Sequence, residues 1–208
     1  MNANTERRQC HGPAGQISVL LDSPAADHVF KGVAVIAHPH PLFGGTMDNK
    51  VVQTIARAFV QNGWQAVRFN FRGVGNSAGH YDEGRGEAED MLAVVEQFVG
   101  TGPIALAGFS FGAYVTSHAV ERLHSKRAIE KIVLVGAATS RFEMAPVAHD
   151  LHERTLVIHG EADDTVPLAS VMDWARPQVL PVTVVPAGGH FFHGQLPLLK
   201  GLVVRHLA

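Results

Sequence analysis

Apolar positions along this chain fall into two kinds of run. Some are short and continuous, as in Gly32–Ala37 (Gly-Val-Ala-Val-Ile-Ala) and 103–107 (Pro-Ile-Ala-Leu-Ala). A run of that kind is expected of a strand buried on both faces of a parallel sheet. Others recur at helical spacing. Val52, Ile55, Ala56, Phe59 and Val60 mark a helix over 49–62 that Gly63 stops,. Met91, Leu92, Val94, Val95 and Phe98 mark a second over 87–99, acidic in its first turn,. Read through, the pattern predicts strands at 16–21, 32–37, 64–71, 103–107, 131–136, 155–159 and 181–185. Helices fall at 49–62, 87–99, 113–123, 170–176 and 193–206, the last with Pro197 in its first turn,.

Strands alternating with helices predict an α/β fold, with a mostly parallel central sheet flanked by helices. The connection between 155–159 and 181–185 is too short for a cap, so no cap or lid domain is expected. Residues 1–15 are polar and expected to be flexible, leaving 16–208 as a single domain,.

Composition narrows the function. With 46% hydrophobic and 17% charged residues and a net charge of −2, the chain has no basic surface suited to nucleic acid,. No apolar run reaches membrane-spanning length, and 1–15 lacks the apolar core of a secretory signal,. The single cysteine, Cys10, excludes an internal disulfide and fits a reducing compartment, so the expected address is cytoplasmic,.

The chemistry gathers at Gly108-Phe109-Ser110-Phe111-Gly112, between a strand and a helix. A tight turn there lifts a serine hydroxyl clear of the sheet edge, and the helix N-terminus offers backbone N–H groups to a developing oxyanion. A serine at neutral pH needs a base. Two later segments supply candidates: 159–167 places Asp163 and Asp164 past one strand, and 188–192 places His190 past the next. In a parallel sheet these strand ends share an edge and can converge.

In the order Ser, Asp, His, with an elbow of this form, the chain resembles the α/β-hydrolase superfamily,. The segment 38–49 (His-Pro-His-Pro-Leu-Phe-Gly-Gly-Thr-Met-Asp-Asn) is similar to a signature of its small, lidless, bacterial carboxylesterase-like members. The resemblance runs from about residue 16 to the C-terminus. It implies the α/β-hydrolase fold and a serine hydrolase cleaving short or soluble acyl esters through an acyl-enzyme. Ser110 matches the nucleophile and His190 the base. Asp163 matches the acid, because G-x-x-D-x-x-V falls on Gly160, Asp163 and Val166; Asp164 is its rival,.

For the oxyanion hole the resemblance implies the N–H of Phe111 and a second donor in the loop after 32–37. Pro39 and Pro41 have no N–H, which leaves His40 and Leu42,. Phe43, Tyr81, Phe109, Phe111 and Phe191 are candidates for an acyl pocket. The run 70–77 resembles a superfamily loop in which Asn70 stands for the usual Asp, so a neutral hydrogen bond from Arg72 to Asn70 is expected. No cofactor and no metal are implied: His38-x-His40 and His190-x-x-His193 arise readily among 13 histidines,. The expected partner is a small-molecule acyl substrate, with no nucleic acid and no membrane. Thioesterase or peptidase chemistry with the same residues, or ligand binding with little catalysis, are the alternatives.

Overall fold

The computed structural model describes residues 5–208. Eight strands build one sheet: β1 (Thr5–Gly12), β2 (Gly15–Asp22), β3 (Gly32–Ala37), β4 (Trp64–Phe69), β5 (Ile104–Phe109), β6 (Ile129–Val135), β7 (Thr155–Gly160) and β8 (Val182–Val185). Their spatial order is β1-β2-β4-β3-β5-β6-β7-β8. β1 and β2 pair antiparallel, as do β2 and β4, and every other pair is parallel. Five helices cover the faces: α1 (Lys50–Gln61), α2 (Arg85–Val99), α3 (Phe111–His124), α4 (Leu168–Ala175) and α5 (Leu196–Leu207).

Strand alternation sorts the core into two layers. Val33, Val35, Ile104 and Leu106 pack with apolar positions of α2, α3 and α4 on one face. Ala34, Ile36, Ala105 and Ala107 pack with Val52, Ile55 and Phe59 of α1 and Leu199 and Val203 of α5 on the other. Successive side chains point to opposite faces, so a strand between two helical layers must be apolar throughout. Burying a side chain the size of Phe59 contributes about 2–3 kcal/mol.

The chain leaves β3 toward β4 on one side and crosses back to β5 on the other. The loops after β3 and β5 therefore flank a topological switch point, where crevices form at the C-terminal strand ends. Arg68 of β4, buried, donates to Asp22 of β2 (Nε–Oδ2 2.7 Å) and to the Met47 carbonyl (2.8 Å), pinning the segment before α1 to the sheet.

Several expectations need correction. Residues 5–12 are not frayed: β1 forms a hairpin with β2 in which Cys10 sits opposite Ile17, and Gln97 of α2 exchanges hydrogen bonds with both His11 backbone groups. β1 is an edge strand whose charged side chains face solvent, so it carries no apolar signal,. Residues 1–4 lie outside the described residues. α2 begins at Arg85 because the buried Glu87 carboxylate reaches back to the N–H groups of Gly84 (2.8 Å) and Asp82 (2.9 Å),. α5 begins only at Leu196, since Phe192 and Gly194 take positive φ, at 51° and 74°. Arg72 pairs with Asp90 of α2 (2.8 and 2.9 Å) rather than with Asn70, whose Oδ1 instead accepts from the Met47 N–H (2.9 Å).

Candidate active site

Ser110 follows β5 directly and precedes the first residue of α3, with φ 57° and ψ −117°. A positive φ is strained for a residue with a Cβ, and its Val135 hydrogen bond (N–H to carbonyl, 2.8 Å) helps hold it,. Both flanking glycines are forced by close approach. A Cβ on Gly108 would lie 2.2 Å from the Gly112 carbonyl oxygen, and one on Gly112 would lie 2.4 Å from that of Ala37.

The loops after β7 and β8 bring the remaining groups to this serine. His190 Nε2 stands 3.0 Å from Ser110 Oγ, and His190 Nδ1 stands 2.7 Å from Asp163 Oδ2. The other Asp163 oxygen accepts from the N–H groups of Thr165 (2.9 Å) and Val166 (2.8 Å). Burial pushes this carboxyl up. The hydrogen bonds from His190 and Val166, with the pull of two imidazoles, outweigh it and hold Asp163 below the usual aspartate range,. Asp164, the rival, is exposed and receives only the Thr165 hydroxyl, at 3.3 Å. Gly160 and Gly188 meet so closely that a Cβ on Gly160 would lie 2.2 Å from the Gly188 oxygen, which fixes the two loops against each other.

The loop after β3 runs beside Ser110. His38 is fully buried: its Nδ1 donates to the Pro39 carbonyl (2.6 Å), so its Nε2 accepts from the Phe71 N–H (3.1 Å). Burial lowers its pKa to about 4 and keeps the ring neutral, although the Pro39 bond opposes this,. The Leu42 N–H is spent on His40 Nδ1 (3.2 Å), where it caps the short 3-10 turn Pro41–Phe43. Of the two oxyanion candidates, His40 is the one whose N–H has no acceptor among the described residues; the Phe111 N–H has none either.

A cavity of about 330 Å³ opens over Ser110 and His190, with His40, Phe43, Arg141 and Phe191 among its walls. Phe43 and Phe191 are exposed at its rim. Phe109 and Phe111 are fully buried, and Tyr81 packs on the His40 and Phe111 rings. His193 lies outside α5, exposed beside Phe191. Among the described residues no group of three or more His, Cys, Asp or Glu side chains is placed to hold a metal ion.

Two residues near the site escape sequence reading. His159, at the end of β7, donates through Nε2 to the Val166 carbonyl (2.9 Å) and lies 3.5 Å from Asp163 Oδ2. Its place directly before Gly160 of the acid motif is the signal that would have found it. Arg141 lies on the irregular connection after β6, where no pattern marks it.

A serine at positive φ, a buried His–Asp pair and an open cavity thus meet at the C-terminal strand ends of the sheet. A family model described as Hydrolase_4, serine aminopeptidase S33, matches residues 31–152. The structure is similar to that of XC6422 from Xanthomonas campestris, described as an α/β serine hydrolase without lid, at 35% identity and TM-score 0.86, covering 100% of this chain and 95% of that one. It is similar also to an α/β serine hydrolase homologue from Coxiella burnetii, at 38% identity and TM-score 0.83, covering 98% and 97%. The uncharacterized protein RP471 of Rickettsia prowazekii (strain Madrid E) is 40% identical over 119 residues, 54% of this chain and about half (48%) of that protein. The chain belongs to the α/β-hydrolase superfamily, in its lidless serine hydrolase form. No helix among the described residues is long and apolar enough to cross a membrane.

Proposed function

We propose that the chain is a carboxylesterase-like serine hydrolase, with Ser110 as nucleophile, His190 as base and Asp163 as the acid that orients it. The observation that carries this is the continuous hydrogen-bonded line from Ser110 Oγ through the His190 ring to Asp163 Oδ2, ending on a serine held at positive φ. His190 Nε2 takes the hydroxyl proton as Oγ attacks the ester carbonyl. Asp163 holds Nδ1 protonated, fixes the tautomer and stabilises the imidazolium. The N–H groups of Phe111 and His40 receive the oxyanion, which is worth about 3–4 kcal/mol per donor in comparable sites. His190 then gives the proton to the leaving alcohol. Water repeats the sequence on the acyl-enzyme, releasing the acid and restoring Ser110.

A peptidase reading has one support, the aminopeptidase description of the matching family model. An aminopeptidase must hold a substrate ammonium, and the cavity wall carries no exposed carboxylate to do so; its one fixed charge is the cation Arg141. The ester reading is therefore preferred. It is tested by fluorophosphonate labelling, and by turnover of p-nitrophenyl esters of graded chain length beside a thioester and an aminoacyl amide. Labelling at Ser110 that vanishes in Ser110→Ala, with ester turnover exceeding amide turnover, is expected. Undiminished labelling of that variant would overturn the assignment.

A further inference from the structure

The cavity over Ser110 has an uneven charge balance. Arg8, Arg68, Arg72, Arg85, Arg122 and Arg176 each pair with a carboxylate of the chain. Arg141 lines the reaction cavity and pairs with none among the described residues. Its backbone is fixed by a hydrogen bond from its N–H to the Ala138 carbonyl (3.1 Å), so the guanidinium is carried on a turn held at the sheet edge. No Asp or Glu shares the cavity wall with it. Its field already reaches the site's loops: after burial, Arg141 is the second cause that holds the His40 imidazole below its ordinary pKa.

The other polar side chains on that wall include neutral groups able to donate, Asn49 and Thr165 among them. Asn49 Oδ1 accepts from the Val51 N–H (2.9 Å), and the Asn49 amide keeps its own N–H groups to offer a ligand,. One uncompensated cation on a wall without carboxylates suits an anion, and the planar guanidinium fork matches a carboxylate in two parallel hydrogen bonds,. The cavity, about 330 Å³ and open to solvent, has room for a small ester beside that fork,.

We propose that Arg141 anchors a carboxylate on the substrate, so that the enzyme's preferred substrates are small esters carrying a free carboxylate, on either the acyl or the alcohol side of the scissile bond. This rests on the ester hydrolase reading and names its substrate class. Arg141 is a specificity-determining residue that takes no part in the bond changes at Ser110.

The test compares matched esters on the full chain. Ethyl hydrogen succinate against ethyl butyrate, followed by pH-stat, reads the acyl side; 4-carboxyphenyl acetate against 4-carbamoylphenyl acetate reads the alcohol side. In at least one pair kcat/KM should favour the carboxylate by about tenfold, within the range of a charge-assisted hydrogen bond. Added salt should reduce that ratio, because the pair is open to solvent. Arg141→Gln should bring the ratio close to one, and Arg141→Lys should keep part of it. Fluorophosphonate labelling of each variant at Ser110 reports that the site is still assembled. No preference in either pair, or a preference that survives Arg141→Gln, overturns the anchor and leaves the hydrolase reading standing. Absence of turnover with all four esters, together with an unlabelled Ser110, overturns both.

Discussion

Asp163 and His190 meet at 2.7 Å across the ends of β7 and β8, with the remaining carboxylate oxygen held by two backbone N–H groups. The neighbouring Asp164 carboxylate takes no part in this contact and faces solvent. Two adjacent acids thus occupy opposite sides of one loop, and only one can orient the imidazole.

Replacing Asp163 by Asn offers His190 an amide, which permits the wrong tautomer and leaves the imidazolium unsupported. Turnover of a short-chain ester should fall by about 10⁴, the loss seen for the same change in a serine protease. Asp164→Asn should change it by less than about tenfold, or ~1.4 kcal/mol. The measurement is kcat for both variants with circular dichroism as the folding control. The reverse ranking would reassign the acid and leave the Ser110–His190 pair intact.

Gly160 and Gly189 lie near each other in the fold, on two facing loops far apart in sequence, but in opposite surroundings. A Cβ on Gly160 meets the Gly188 backbone oxygen at 2.2 Å, whereas one on Gly189 meets nothing within 4 Å. Gly160→Ala must part the acid loop from the histidine loop, and overpacking of this kind costs about 1–3 kcal/mol. Gly189→Ala should stay within about 0.5 kcal/mol of the parent. Urea unfolding midpoints separate the two; equal midpoints would show that the loops yield without cost.

What the sequence makes legible follows from burial. β3 and β5 read clearly because helices cover both faces and every position must be apolar. Ser110, Asp163 and His190 read clearly because glycines at close backbone contacts frame each of their loops. β1 does not, since an exposed edge strand looks like any polar segment. The Arg72–Asp90 pair joins a loop to a helix 18 positions on, which local spacing cannot reveal. Arg141 reaches the cavity from a connection with no periodicity at all. That the Leu42 N–H donates to the His40 ring is a side-chain detail that residue types alone do not specify.

Cys10 is buried on β1 beside α2. Burial, and after it the charge of Asp90, pushes its thiol from 9.0 to about 11. At pH 8 the thiolate fraction should then fall about a hundredfold below that of a thiol titrating at 9.0, and the thiolate is the reacting species. The folded protein should react with DTNB at least that much more slowly than the same chain in urea. Equal rates would mean that β1 detaches from the sheet in solution.

His38 gives the fold a defined acid limit. Its pKa drops from 6.5 to about 4 on folding, chiefly by burial, so the folded state favours the neutral ring. A base with a depressed folded pKa contributes stability that is present above the unfolded value near 6.5. That contribution is lost as the pH falls toward 4, because the unfolded chain binds the proton first. The chemistry agrees: a second ring proton on Nε2 would face the Phe71 N–H, which now donates to that atom at 3.1 Å. Between pH 7 and pH 4.5 this one group should remove about 2 kcal/mol of unfolding free energy. His159, whose pKa burial also lowers, acts in the same direction. Asp163 acts only below the ordinary aspartate range, since its folded pKa is depressed and its contribution is lost as pH falls further. Urea unfolding at the two pH values, for the parent and for His38→Gln, isolates the effect. The variant should be less stable at pH 7 and should lose about 2 kcal/mol less on acidification. An identical acid loss in both proteins would mean that His38 does not titrate as a buried neutral base.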